Sequence, residues 1–131
     1  GENAPRAFRM RMDAHSCALG KAILAFKGRD ELKEIYKSYS LHKHTSNTIT
    51  SLDKLYANLA NVRKNGYSLN EAETFNYVYG IGAPIMDSKK RAIAAISISG
   101  TKGSINIKTT PNLAKKVTET AALISLKLQN N

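Results

Sequence analysis

Ser97 and Ser99 stand two residues apart in the segment AIAAISIS, residues 92–99. Side chains on a strand alternate faces, so these two hydroxyls share one face with Ile93 and Ala95, and Ala94, Ile96 and Ile98 share the other. A hydroxyl donates and accepts, so the pair suits the oxygens of a small polar ligand. Gly80 and Gly82 repeat the same spacing in YVYGIGAPIM, residues 77–86. Glycines on a strand leave room above the sheet and let a ligand approach the backbone. A second element comes from the helix predicted to begin near Ser16. The amides of Cys17, Ala18 and Leu19 then lack intrahelical acceptors, and the positive end of the helix dipole favours a carboxylate. Plainer readings fit the same residues: two solvated serines, glycines that relieve crowding, and a helix start capped by Asp13 or Ser16.

Other reactive side chains are less organised. His42 and His44 form an H-x-H pair without a second pair of ligands, and are read as loop residues. His15 lies two residues from Cys17, a poor spacing for a thiolate pair at a helix start, so Cys17 is read as a small packed thiol. Glu71 and Glu73 are read as solvated charges at a strand edge. The Gly80 and Gly82 spacing is not a nucleotide fingerprint, because no helix follows it. No nucleophile–base pair and no metal cluster is visible, so no catalytic residue, metal or cofactor is assigned and the chain is not read as an enzyme.

The elements that must position these residues follow from periodicity. Residues 7–12 (AFRMRM) alternate apolar and charged, a strand pattern. Ala18, Leu19, Ala22, Ile23 and Phe26 form a helical stripe, with Gly28 as its stop. Leu32, Ile35, Tyr36 and Tyr39 mark a second helix. Residues 40–50 are polar and read as a loop. Thr50 opens a third helix, with Asp53 in its first turn, a stripe of Leu52, Leu55, Tyr56, Leu59 and Val62, and Gly66 as its stop. Residues 67–70 form a short strand. Residues 77–86 and 92–99, joined by the polar residues 87–91, form a β-hairpin. The last helix begins near Pro111 and carries Leu113, Val117, Ala121, Ile124 and Leu128. The order does not alternate strand and helix, so an α+β domain with helices on an antiparallel sheet is expected.

The chain of 131 residues suits a single domain. No apolar run approaches the roughly 18 residues of a membrane span. The single cysteine suits a reducing compartment, and a cytoplasmic location is expected. Twenty basic against ten acidic residues give a formal charge of +10. The basic residues are spread along the chain, which fits a basic solvated surface; the alternative is a basic module that binds nucleic acid directly. The start is polar and basic, carries no signal-peptide pattern and lacks Met, so a fragment of a longer protein is expected.

Several segments, taken in order, resemble the effector-binding domain of IclR-type bacterial transcription regulators. AHSCALGKAILAF is similar to that family's small-residue, Gly-Lys helix. NTITSLDKLYANLANVRKNGYSLNEAETFNYVYGIGAPIMD carries its Thr-Ile-Thr entry, V-R-x-x-G-Y and I-x-A-P-I-x-D, and AIAAISISGT its last strand. The resemblance implies a GAF-like or profilin-like curved antiparallel sheet flanked by helices. It also implies a repressor or activator whose N-terminal winged helix-turn-helix reads operator DNA and is absent here. The 1–131 domain would be single and N-terminally incomplete, and the whole protein a homodimer or tetramer. The implied ligand is a small organic acid: a keto acid, an aromatic acid or a sugar-acid derivative. Family positions whose amides hold the effector carboxylate match Ala18 and Leu19, and the strand hydroxyls match Ser97 and Ser99. A commonly acidic position matches Asn70 and a frequent cysteine position matches Gly80. These two departures imply a less charged, roomier site and a bulkier or more hydroxylated effector than a two- or three-carbon keto acid.

Overall fold

The computed structural model describes residues 12–130. The strand expected over residues 7–12 therefore lies outside the described residues except for Met12. Among the described residues, a short 3-10 helix, Ala14–Ser16, leads into α1 (Ala18–Leu24), followed by α2 (Arg29–Ser38) and α3 (Leu52–Asn65). The strands β1 (Ser68–Glu71), β2 (Tyr79–Met86) and β3 (Ala92–Gly100) come next, and α4 (Thr110–Gln129) closes the chain. The sheet is antiparallel in the order β1-β2-β3, which makes the domain α+β as expected.

The helix ends have local causes. Cys17 is extended and caps α1, its Sγ accepting the Gly20 N–H at 3.4 Å. Asp13 and Ser16, the expected caps, are engaged upstream, where the Ser16 hydroxyl donates to the Asp13 carbonyl at 3.1 Å. Gly28 does not stop α1, which ends at Leu24; it opens α2, where Asp30 and Glu31 occupy the first turn and complement the dipole. Ser51 rather than Thr50 caps α3, accepting the Lys54 N–H at 3.2 Å. Gly66 ends α3 with φ +84°, its N–H donating to the Val62 carbonyl at 2.8 Å. That left-handed conformation favours glycine.

Two helical layers sandwich the hairpin. On one face Ile81, Ala83 and Ile85 pack with Ala114, Val117 and Ala121 of α4, and Ala94, Ile96 and Ile98 join them. Alternation along β3 therefore identifies its α4 face correctly. The buried stripe of α4 is Ala114, Val117, Ala121 and Ser125, with Leu113 and Ile124 at its margins and Leu128 exposed. Burying Ser125 is compatible with stability because its hydroxyl donates to the Ala121 carbonyl at 2.8 Å and accepts the Met86 N–H at 2.9 Å. A second core joins Leu24 and Ala25 to Leu32 of α2 and Leu55, Leu59 and Val62 of α3. No helix among the described residues is long and apolar enough to cross a membrane.

Candidate functional site

The face of the sheet opposite α4 carries two ladder rows. Ser68 pairs with Gly82 and Gly82 with Ser97; Asn70 pairs with Gly80 and Gly80 with Ser99. Six small or polar residues thus lie side by side, and the first turn of α1 rests on the glycine column. A Cβ built on Gly82 would lie 2.6 Å from the Ala18 carbonyl oxygen, so only glycine admits the helix at this distance. The Ser68 hydroxyl donates to that same oxygen at 2.6 Å, pinning the helix start to β1. At Gly80 a Cβ would meet the Ala18 Cβ at 3.5 Å and the Asn70 Cβ at 3.6 Å. The room expected above Gly82 is therefore taken by α1, while Gly80 and Asn70 line a cavity together with Tyr67, Tyr79 and Asn106.

The uncovered part of this face lies over β3, where Ser97 is half-buried and Ser99 exposed. Adjacent strands are about 4.8 Å apart, so Ser97 sits one strand spacing from Gly82 and the Ala18 backbone above it. Cys17 Sγ takes the Gly20 amide and the Cys17 carbonyl takes that of Lys21 at 3.1 Å. The amides of Ala18 and Leu19 come earlier in the turn and have no intrahelical acceptor. Ala18 is buried against the sheet, whereas Leu19 is exposed. Helix tip and strand hydroxyls thus lie on one side of the sheet, which suits a carboxylate and a second oxygen of the same molecule.

Asn70 is buried and serves the fold: its Oδ1 accepts the Glu73 N–H at 2.8 Å. Glu73 is not a solvated charge. It is buried and forms an ion pair with buried Lys21, Nζ to Oε1, at 2.7 Å. Its Oε2 accepts the Glu71 N–H at 2.9 Å. Charges are buried only when paired and hydrogen-bonded, and here both conditions hold. The Lys21 charge is therefore already matched by the Glu73 carboxylate. Lys21 lies next to Ala22 and three residues after Ala18, on the buried side of α1; a lysine on a helix's apolar stripe is the sequence signal for this pair. The loop at residues 40–50 is also anchored, with Thr45 Oγ1 donating to the Ala72 carbonyl and Thr48 Oγ1 to the Glu73 carbonyl, each at 2.6 Å. Cys17 behaves as a packed thiol: burial pushes its pKa up, against the opposing Gly20 amide and the Lys21 charge.

A small three-stranded antiparallel sheet with helices on both faces, one of them seated on Gly82, defines the class as a compact α+β domain. Residues 8–126 match the family model described as bacterial transcriptional regulator IclR C-terminal, and the chain belongs to that family. Its relatives include the HTH-type transcriptional regulator KipR of Bacillus subtilis, 33% identical over 90% of this chain and 47% of KipR. The solved C-terminal domain of the Escherichia coli transcriptional regulator KdgR superposes with a TM-score of 0.86, at 29% identity, over 92% of this chain and 73% of that one. The inducer-binding domain of PobR from Acinetobacter, a double mutant in complex with 3-hydroxybenzoic acid, shares the fold at a TM-score of 0.78 and 24% identity, covering 88% of this chain and 67% of that one. The chain spans about half the length of KipR and about a third of several other curated relatives. The family and these relatives are transcriptional regulators, and nothing in them favours the reading as a basic module that binds nucleic acid directly.

Proposed function

We propose that this domain senses a small organic acid and passes the binding signal to a DNA-binding head elsewhere in a longer regulator. The supporting observation is the seating of α1 against Gly80 and Gly82 on the sheet face that also carries Ser97 and Ser99. The carboxylate meets the amides of Ala18 and Leu19, and the hydroxyls hold a further oxygen. Keto acids and sugar-acid derivatives present that pair of groups, as do aromatic acids that carry a ring hydroxyl. Asn70 closes the site from β1 as a structural neighbour, because its carbonyl oxygen is already engaged.

In this proposal residues 1–131 are one effector-binding domain, incomplete at its N-terminal side. A winged helix-turn-helix in the rest of the protein contacts operator DNA, and the assembly is a homodimer or tetramer in the cytoplasm. Ligand-dependent regulation requires different affinity for two arrangements of the protein, typically about 1–3 kcal/mol of coupling.

The test is a thermal-shift screen of these three acid classes, since a ligand that binds the folded state raises its stability by mass action. Titration of the best hit against the S97A/S99A double variant follows. Affinity reduced about tenfold or more, the loss of one or two hydrogen bonds to a charged group, supports the assignment. Unchanged affinity removes Ser97 and Ser99 from the site.

A further inference from the structure

The approach to α1 and the loop before α3 meet at three side chains that the sensing site does not use. Asp13 and His15 come from the approach and His44 from the loop. One ligand atom from each lies within 4.8 Å of the other two. His44 Nε2 is 2.7 Å from Asp13 Oδ2. The His15 ring is 1% exposed, and its Nε2 lies 2.9 Å from the His42 carbonyl oxygen. A carbonyl oxygen can only accept, so Nε2 carries the proton and, in the neutral ring, Nδ1 keeps its lone pair. A backbone carbonyl on one ring nitrogen is the usual support of a histidine that ligates metal through the other.

The frame around these side chains is already held. The His44 N–H donates to Thr48 Oγ1 at 3.0 Å, and Thr45 and Thr48 tie the loop to the chain at residues 72 and 73. On the other side, the Asp13 carbonyl accepts both the N–H and the hydroxyl of Ser16, each at 3.1 Å. His15 and His44 lie ring against ring, with centroids 6.2 Å apart and planes 29° from parallel.

We propose that Asp13, His15 and His44 bind a divalent transition-metal ion, with zinc as the ion best matched to two imidazoles and one carboxylate. Calcium and magnesium are disfavoured because they take oxygen ligands. Bond lengths of about 2.0–2.2 Å to zinc require ligand atoms about 3.4 Å apart in a tetrahedral shell. Asp13 and His44 make that closing movement, since their side chains are 49% and 28% exposed, while buried His15 stays in place. Three protein ligands leave a fourth position for water. The ion would cross-link the segment entering α1 to the loop before α3. This proposal does not depend on the acid-sensing reading.

The test uses the untagged chain, titrated with zinc chloride by calorimetry and with cobalt(II) by visible absorption. The expected result is one ion per chain. Asp13→Asn and His44→Ala each weaken zinc about tenfold or more, the usual scale for disturbing a metal site, with an unchanged circular-dichroism spectrum. His42→Ala, which removes the other half of the H-x-H pair, leaves zinc affinity near that of the parent. Three results overturn the proposal: no binding above the buffer blank; loss on His42→Ala but not on Asp13→Asn, which would mean adventitious chelation by the H-x-H pair; or a thiolate-to-cobalt charge-transfer band, which would move the ion to Cys17.

Discussion

Lys21 and Glu73, 52 positions apart in the chain, meet as a buried ion pair at 2.7 Å, with 1% and 8% of their side chains exposed. The pair joins α1 to the turn after β1, so the placement of α1 over the sheet and the order of that turn depend on one another. Breaking such a pair by removing one partner leaves the other charge buried, at a cost of about 3–5 kcal/mol. Lys21→Met is therefore expected to lower the urea unfolding free energy by that amount. The double variant K21M/E73L should lose less than the single, because no orphan charge remains. Equal losses would mean that the carboxylate finds water or another partner.

Gly82 and Gly80 separate close approach from mere proximity. A methyl group at Gly82 would meet the Ala18 carbonyl oxygen at 2.6 Å and its carbon at 2.8 Å, both backbone atoms. Gly82→Ala must push α1 from the sheet and is expected to cost about 1–3 kcal/mol, the range for overpacking. It should also weaken binding of any acid that bridges helix tip and strand. At Gly80 the nearest contact would be 3.3 Å, to the Ile98 carbonyl oxygen. Gly80→Ala is expected to be clearly milder in the same denaturation series.

Cys17 offers a pH test. Burial pushes its thiol pKa above the ordinary value, with the Gly20 amide acting in the opposite direction. The folded state thus favours the neutral thiol. Its contribution to stability is complete below the unfolded thiol pKa of about 8.5 and is lost as pH rises through the higher folded value. Iodoacetamide at pH 8 should modify the folded chain more slowly than the urea-unfolded chain. Between pH 8 and pH 10, the parent should lose more stability than Cys17→Ser. Equal modification rates would show that the thiol is freely ionised in the fold.

Gly66 ends α3 at φ +84°. An L-residue in that left-handed region costs about 1–2 kcal/mol, so Gly66→Ala is expected to lower the thermal midpoint without altering ligand binding. A neutral substitution would indicate that the helix end re-forms elsewhere.

Much of the architecture is legible in local pattern. The stripe of Leu55, Leu59 and Val62 marks the buried side of α3, and Gly66 marks its end. Alternation along residues 92–99 separates the α4 face from the hydroxyl face. The α1 stripe is less legible. Leu19 is exposed and Lys21 buried, because α1 meets the glycines of the sheet and the Glu73 carboxylate of the turn after β1 rather than an apolar groove. Asp13 and Ser16 were natural caps by residue type, yet the 3-10 turn engages them and Cys17 becomes the cap.

Unaided, the order of residues determined which segments become helix or strand, where α3 stops and which hairpin face turns to the core. These follow from periodicities of two and 3.6 that act over a few neighbours. Folding in three dimensions decided the partners: Lys21 with Glu73, Ala18 with Gly82, and His44 with Asp13. Each of those meetings spans roughly thirty residues or more and is set by how whole elements pack, which no local period records.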